Sequence, residues 1–419
     1  MRNSLDAMRN ALKILAQSVI MVTGAGLAIL LSPPPAAAER DIVCADVETL
    51  APYAHVIINC DADTFVNLAR SPSILLERNS ERQTRPAYVV IGYVLAVPFR
   101  WAGFLSGNET TISNAYYAGF VALNFFVLIA SIALFAELVP VTSLFKPWSI
   151  IPVTVIVFNY VTKAFLWTAH QQIFGLVVPV ISMWSAKRWV LDEHGLTTRR
   201  AVGIGFVAGI CCLIYGSFAL LPATVSAAAL LYRRKTSACV RIGVMLIVAS
   251  APFLIWRAVI LQATGSFYSL ETRRYHEFVW IWEQLAHGPR ALAAQLWNNV
   301  LAFLATVPEA LFLPVAFLIA ALALAARNNR GAVRSVASRP AFQAAIAFLV
   351  TGVPFYALMG FYSPRLTAAL IPPLAAITAA ASSESFTDAA RSHPMLPEPV
   401  TLAAIAYAAL IILIPGPYA

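Results

Sequence analysis

The stretch CDADTFVNLARSP, residues 60–72, sets Asp61 and Asp63 two positions apart at the head of a short run that ends near Arg70, and ERQTRP then delivers Arg82 and Arg85 to Pro86. Carboxylates so placed can cap a helix start by accepting its free N–H groups. They can also take a proton from a hydroxyl as a general base, or hold Mg²⁺ or Mn²⁺ against a phosphate. The spacing admits all three. A second polar stretch, ATGSFYSLETRRYHEFVWIWEQLAHGP (263–289), mixes Arg273, Arg274, Tyr275, His276 and Glu277 with Trp280 and Trp282. These types bind a sugar or lipid head group by stacking and hydrogen bonding, although Trp and Tyr also gather at any membrane interface. In NYVTKAFLWTAHQQIFGL, the polar residues Lys163, His170, Gln171 and Gln172 fall between two half-length apolar runs. Polar groups at that depth line an enclosed cavity or bond to neighbouring helices in a kink.

The elements that must position these residues are membrane helices. Hydrophobic residues make up 60% of the 419 and charged ones 12%, with a mean hydropathy of +0.74, whereas soluble domains carry about 25% charge. Runs long enough for the roughly 30 Å hydrocarbon layer, about 20 residues each, occur at 14–31, 87–106, 115–138, 240–259, 308–326, 340–360, 366–383 and 399–415; 149–186 and 201–232 are longer and interrupted. The expectation is an all-α polytopic membrane protein with about 10–12 spans. It divides into a first helix (1–31), an outer loop with a helical start (32–86), membrane helices (87–259), a second outer loop (260–300) and C-terminal membrane helices (301–419).

Basic residues cluster at Arg2, Arg9 and Lys13, at Lys187, Arg188, Arg199 and Arg200, at Arg233 to Lys235, and at Arg327, Arg330, Arg334 and Arg339. The positive-inside rule places all four clusters in the cytoplasm. The net charge of +9 is then a matter of topology, and a nucleic-acid partner, which needs a solvated basic surface with aromatic platforms, is excluded. Parity puts 32–86, 260–300 and 361–365 outside together. It requires 149–186 to cross once, 201–232 to form a tight hairpin, 106–114 to lie inside and 139–148 outside. The first run is an uncleaved helix or a signal peptide ending at PPPAAAERD; the outer loop stays outside in either case. Of five cysteines, Cys44 and Cys60 fall in that loop. A disulfide between them would close about 15 residues, worth roughly 3 kcal/mol, and fix the backbone before Asp61. The chain carries no phosphate-binding P-loop, zinc-protease or serine-hydrolase motif, so those activities have no support.

Asp61 with an aromatic four residues on, LA three after that, and Arg-Gln-x-Arg-Pro opening a membrane helix resembles the first outer loop of the GT-C superfamily of membrane glycosyltransferases, which includes aminoarabinose transferases and protein O-mannosyltransferases. The Gly-rich AVGIGFVAGICCLIYGSFALLPATVSAAALLYRRK and the late GFYSPRLTAALIPPLAAI, with Tyr362 and Arg365, are similar to further family segments. The resemblance implies sugar transfer, with inversion, from a polyprenyl-phosphate donor to a lipid or glycan acceptor at the outer face of a bacterial inner membrane. Asp61 would be the general base, with Asp63 in support. Arg82, Arg85, Arg273, Arg274 and Arg365 would meet the lipid phosphate, and His170, Gln171, Tyr275, His276 and Tyr362 would contact substrate. Family members differ in metal use, so Mg²⁺ or Mn²⁺ stays open. The chain has Asp61-Ala62 where many members have Asp-Glu, and Phe65 where they have Tyr. The alternative from composition is a transporter or flippase of an amphipathic precursor, which would hide ionisable residues near the bilayer midplane in repeat-related positions.

Overall fold

The computed structural model describes residues 2–37, 40, 44–107, 109–139, 143–145, 147–192, 195–233, 236–328, 336–392 and 397–414. Among the basic residues used for orientation, Arg234, Lys235, Arg330 and Arg334 lie outside these. The protein is an all-α polytopic membrane protein with eight helices long and apolar enough to cross a bilayer among the described residues, and shorter apolar helices at Gly216–Tyr232 and Val400–Leu413.

In chain order, α1 (Arg2–Ile29) leads into a hairpin of β1 (Ala45–Ala51) and antiparallel β2 (Ala54–Asn59), then α2 (Asp61–Arg70). The long helices α3 (Pro86–Ser106) and α4 (Glu109–Leu138) follow, then α5 (Pro147–Val157), α6 (Tyr160–Phe165), α7 (Phe174–Ala186), α8 (Thr198–Cys212), α9 (Leu220–Tyr232) and α10 (Thr236–Thr264). Two short helices, α11 (Leu270–Tyr275) and α12 (Val279–Ala286), precede α13 (Pro289–Asn328), α14 (Pro340–Leu358), α15 (Ile371–Ser392) and α16 (Pro397–Leu413). The outer loop is therefore part β-hairpin, not only helical. Cys44 and Cys60 are joined by a disulfide at the base of that hairpin.

Prolines open α3, α13 and α14, where a missing N–H costs nothing. Small residues set the closest approaches. A Cβ at Gly205 would stand 2.4 Å from the Met245 carbonyl oxygen and one at Gly209 would stand 2.5 Å from that of Ala249, so α8 and α10 are in backbone contact. Gly119 seats α4 on α3 in the same way, its built Cβ 2.8 Å from the Ala96 nitrogen.

At one end of the bundle, basic side chains hold helix termini together. Lys187 Nζ donates to the Glu137 carbonyl at 3.1 Å, Arg233 Nε to that of Val190 at 3.0 Å and Arg241 Nη1 to that of Leu196 at 2.7 Å. Arg339 donates to the Ala380 carbonyl. The Lys187 and Arg233 contacts fall on carbonyls in the last turn of a helical segment, where the helix dipole favours positive charge, whereas Arg241 meets the loop before α8 and Arg339 a carbonyl inside α15.

The Lys187 contact corrects the parity count. It brings the end of α4 to the start of the basic loop, so the described part of 139–148 (139, 143–145, 147 and 148) shares that end of the bundle instead of lying opposite it. Between those points the chain runs through α5 and α6 to a turn at 166–170 and returns along α7. The apolar run 149–186 is therefore a hairpin, not one crossing, because Pro152, Asn159 and the polar turn divide it into two short arms. The α3–α4 pair, which starts beside the outer loop at Arg85 and ends beside Lys187, then makes one net crossing. The 201–232 hairpin is as expected, with its turn at 213–219.

Candidate active site

Three turns meet the outer loop at the other end of the bundle: 166–171 before α7, 213–217 between α8 and α9, and 359–367 after α14. Asp61 sits at this junction. Its position is set by the disulfide, by the Cys60 N–H donating to the Cys44 carbonyl at 3.0 Å, and by its own N–H donating to Asn59 Oδ1 at 3.0 Å. Asn59 is in turn tied to the first turn, its N–H donating to Thr168 Oγ1 at 2.9 Å. Phe65, fully buried, anchors α2 against Tyr88, Phe120 and His170, with ring centroids 4.9, 6.3 and 6.1 Å away.

The capping role is not observed. Cys60 occupies the cap position of α2 without a side-chain bond, and Asp61 is the first helical residue. Its carboxylate faces inward. Arg82 Nη2 lies 2.6 Å from Asp61 Oδ2, and His170 Nε2 lies 3.4 Å from the same oxygen. Arg82 holds this position with a left-handed backbone (φ 63°) and its guanidinium 5.2 Å from the Phe65 ring centroid. His170 Nδ1 accepts from the Gln172 N–H at 3.2 Å, which leaves the proton on Nε2, facing the carboxylate.

Burial alone would raise the Asp61 pKa. The His170 hydrogen bond and the Arg82 charge outweigh it and hold the carboxyl well below its usual range. His170, just before the span that starts at Gln171, is lowered to about 4, chiefly by burial, with the Asp61 contact opposing. The pair is thus a carboxylate and a neutral imidazole at neutral pH.

The RQTRP segment continues the site. Gln83, fully buried, donates through Nε2 to the Leu75 and Glu77 carbonyls at 3.0 and 2.8 Å, and its Oε1 accepts from the Tyr268 N–H at 2.9 Å. Trp256 Nε1 donates to the Gln83 carbonyl at 2.7 Å. Arg85 Nη2 reaches Glu271 Oε1 at 2.7 Å, and Thr84 Oγ1 and Ser269 Oγ donate to Glu271 Oε2 at 3.2 and 3.3 Å. Burial opposes ionisation of Glu271, but Arg85, a backbone hydrogen bond and Arg82 together outweigh it and lower its pKa. Gln172 Nε2 ties the first turn to the others, donating to the Tyr215 hydroxyl at 3.2 Å and the Arg365 carbonyl at 3.0 Å.

Beside Arg85 lies a cavity of about 600 Å³. Thr84, Arg85, Ser269, Glu271, Thr272 and Glu277 form its polar end, and Pro222, Leu246, Ala249, Phe253 and Leu254 carry it along α9 and α10. Leu246 and Leu254 are exposed on a helix whose composition suits the bilayer, so the cavity opens towards lipid.

No family model, curated protein or solved structure matches the chain. The site must be read from its own geometry.

The structure brings together Asp61, Arg82 and His170, and places Arg85 three residues from Arg82 at the mouth of the cavity. Arg365 lies close enough for its charge to act on His170 and Glu277, with its guanidinium 5.7 Å from the Phe361 ring centroid. Other expected residues lie apart from Asp61. Asp63 is exposed on the opposite side of α2. Arg273 and Arg274 are exposed and rest over Tyr268 and Tyr275, at 5.1 and 5.7 Å. Tyr275 packs on Phe361, His276 meets Glu283 at 3.3 Å, and the Tyr362 hydroxyl donates to the Ala357 carbonyl at 2.7 Å. Gln171 is buried beside His170, and its Oε1 has no partner among the described residues.

Arg82 and the His170 N–H both meet Asp61 Oδ2, Asp63 faces away, and no group of three His, Cys, Asp or Glu side chains placed to hold a metal ion occurs among the described residues. Gln172 takes the neighbour-bonding alternative offered by its stretch, while Gln83, Glu271 and Tyr215 are site residues that no motif marks. The Gln inside RQTRP was the one local signal, since a polar residue between two arginines at a helix mouth is either solvated or a buried bridge.

Proposed function

We propose that the protein is a membrane glycosyltransferase of the GT-C kind, transferring a sugar from a polyprenyl-phosphate donor to a lipid or cell-envelope glycan acceptor at the outer face of a bacterial inner membrane. The observation that carries the reading is the Asp61 carboxylate, one third exposed and gripped by Arg82 and His170, with Arg85, three residues on from Arg82, heading a cavity whose apolar length runs along α9 and α10. A base, a cationic end for phosphate and an apolar channel for a long chain are the three requirements of this reaction.

Two orphaned donors support an anionic ligand. Arg82 Nε and Arg85 Nη1 are buried with no acceptor among the described residues, a cost of about 1–3 kcal/mol for each such group. Phosphate oxygens would satisfy both and supply charge-assisted bonds. The same ligand resolves the low basicity of Asp61. With Arg82 turned towards phosphate, the carboxylate loses its strongest cation, its pKa rises towards the ordinary range, and it becomes competent to accept the acceptor's proton as that oxygen attacks the anomeric carbon.

The test is mass spectrometry of envelope lipids and glycans from cells with the wild-type protein, without it, or with Asp61→Asn at matched abundance. A sugar mass increment lost in both deletion and variant is expected. A lipid or solute that accumulates on one side of the membrane, with no covalent change, would replace the enzyme by the transporter.

A further inference from the structure

We propose that Glu277 is the general acid of this site, protonating the lipid phosphate as it leaves the sugar while Asp61 takes the proton of the acceptor. The inference rests on the glycosyl-transfer reading and adds to it a second proton-transferring residue in a different loop.

Glu277 lines the same polar end of the cavity as Thr84, Arg85 and Glu271, yet the two glutamates are held in opposite ways. Glu271 is committed to three donors, Thr84, Arg85 and Ser269. No donor among the described residues reaches the Glu277 carboxyl. Its backbone is fixed instead. His276 and Phe278 on either side adopt left-handed conformations, φ 51° and 58°, which cost non-glycine residues of order 1–3 kcal/mol and persist only where surrounding structure imposes them. Here the Glu277 N–H donates to the Glu271 carbonyl at 3.2 Å, the Phe278 N–H to that of Met359 at 3.0 Å, and Trp280 Nε1 to that of Leu358 at 2.9 Å. The loop is pinned so that a free carboxyl faces a cavity.

The groups facing it set its charge. Burial and the Glu271 carboxylate raise the Glu277 pKa to about 7, against the opposing charges of Arg85 and Arg365. Two carboxyls whose environments push them apart, one ionised and one able to hold a proton near neutrality, are the arrangement that acid catalysis requires. The proton balance is complete. The acceptor oxygen bonds to the anomeric carbon and gives its proton to Asp61. The bond from that carbon to the phosphate oxygen breaks with its electron pair on oxygen, and Glu277 supplies the proton there. A phosphate monoester has a second pKa of about 6, close enough to Glu277 for transfer with little penalty. Exchange with solvent resets both carboxyls.

The experiment uses the full-length purified protein in lipid nanodiscs with polyprenyl-phosphate hexose and pentose donors and water as acceptor, following release of polyprenyl phosphate from pH 5 to 9. Wild type should lose rate on an alkaline limb near pH 7. Glu277→Gln should lower kcat by about 10²–10⁴-fold and abolish that limb, and Glu277→Asp should restore part of both. Asp61→Asn should lower the rate yet keep the limb. Glu277→Gln with the wild-type kcat and limb would overturn the acid role alone. No donor cleavage by wild type would overturn the glycosyl-transfer reading, and the acid role with it.

Discussion

His170 Nε2 and Asp61 Oδ2 lie 3.4 Å apart, and the direction of that contact assigns their roles. Because His170 Nδ1 already accepts from the Gln172 N–H, the imidazole can only donate to Asp61; in the proposed reaction it would orient the carboxylate without competing for the substrate proton. Asp61→Asn should therefore lower transfer by about 10²–10⁴-fold with the protein still folded. His170→Ala, which removes one hydrogen bond to a charged group, should cost about 10–100-fold, with His170→Gln between it and wild type. Asp63→Asn, on the exposed side of α2, should stay near wild type. Initial rates at matched protein amounts check the series, and equal, near-normal activity in both aspartate variants would end the mechanism.

The same pair makes the fold sensitive to acid. Asp61 has a depressed pKa in the folded state, so its stabilising contribution is present above the ordinary carboxylate range and is lost as pH falls below it. His170, depressed from 6.5 to about 4, contributes fully above 6.5 and loses that contribution as pH falls to about 4. Glu277 has the opposite sign. Its raised value means a contribution that is full below 4.5 and falls away as pH rises to about 7. Between pH 6.5 and 4.5 the His170 and Glu277 contributions run in opposite directions, so thermal unfolding in detergent should show Glu277→Gln exposing a fall in stability on acidification over that window that the wild type masks, and adding His170→Gln should remove it.

The disulfide acts on the site through one residue. Cys60 is both the bridged cysteine and the residue before Asp61, so breaking the bridge frees the backbone that aims the carboxylate. Reduction, or Cys44→Ser with Cys60→Ser, should cost roughly 3 kcal/mol by the loop-closure estimate. Activity should fall along with the melting temperature. Free Cys211, Cys212 and Cys239 are remote from this hairpin in the chain, and their replacement should leave the reductant sensitivity unchanged.

What was legible in the sequence followed from solvent. Apolar length marked the membrane helices, and the shared loop of Cys44 and Cys60 made the bridge that joins them an open possibility, because both signals are local or need only a shared compartment. Parity failed at 149–186 because length alone cannot tell one broken crossing from a hairpin. Asn124 makes the hairpin visible only in three dimensions: buried on α4, it donates to the carbonyls of Phe165 and Thr168 at 3.0 and 2.7 Å and fixes the turn that carries His170. Asp61 and Asp63 look alike as letters, and what separates them is the face of α2. Glu271 was illegible as the partner of Arg85 because nothing local pairs a loop residue with a helix mouth so distant in the chain.

Gln83 offers the sharpest separation of architecture from chemistry. It touches neither Asp61 nor the Glu277 carboxyl, yet its side chain bonds the Leu75 and Glu77 carbonyls and the Tyr268 N–H, joining the first outer loop to the second. It also stands between Thr84 and Arg82, so any shift moves both the arginine on Asp61 and the arginine on Glu271. Gln83→Ala strands buried polar groups at about 1–3 kcal/mol for each left unpaired, and its melting temperature should fall. Gln83→Glu would lose the two donors while keeping the acceptor, so it should be destabilised through Leu75 and Glu77 and still hold Tyr268. If Gln83 acts only as this bridge, both variants should lower kcat and stability together without displacing the alkaline limb of the rate profile. A displaced limb in a stably folded Gln83 variant would instead place Gln83 in the proton path.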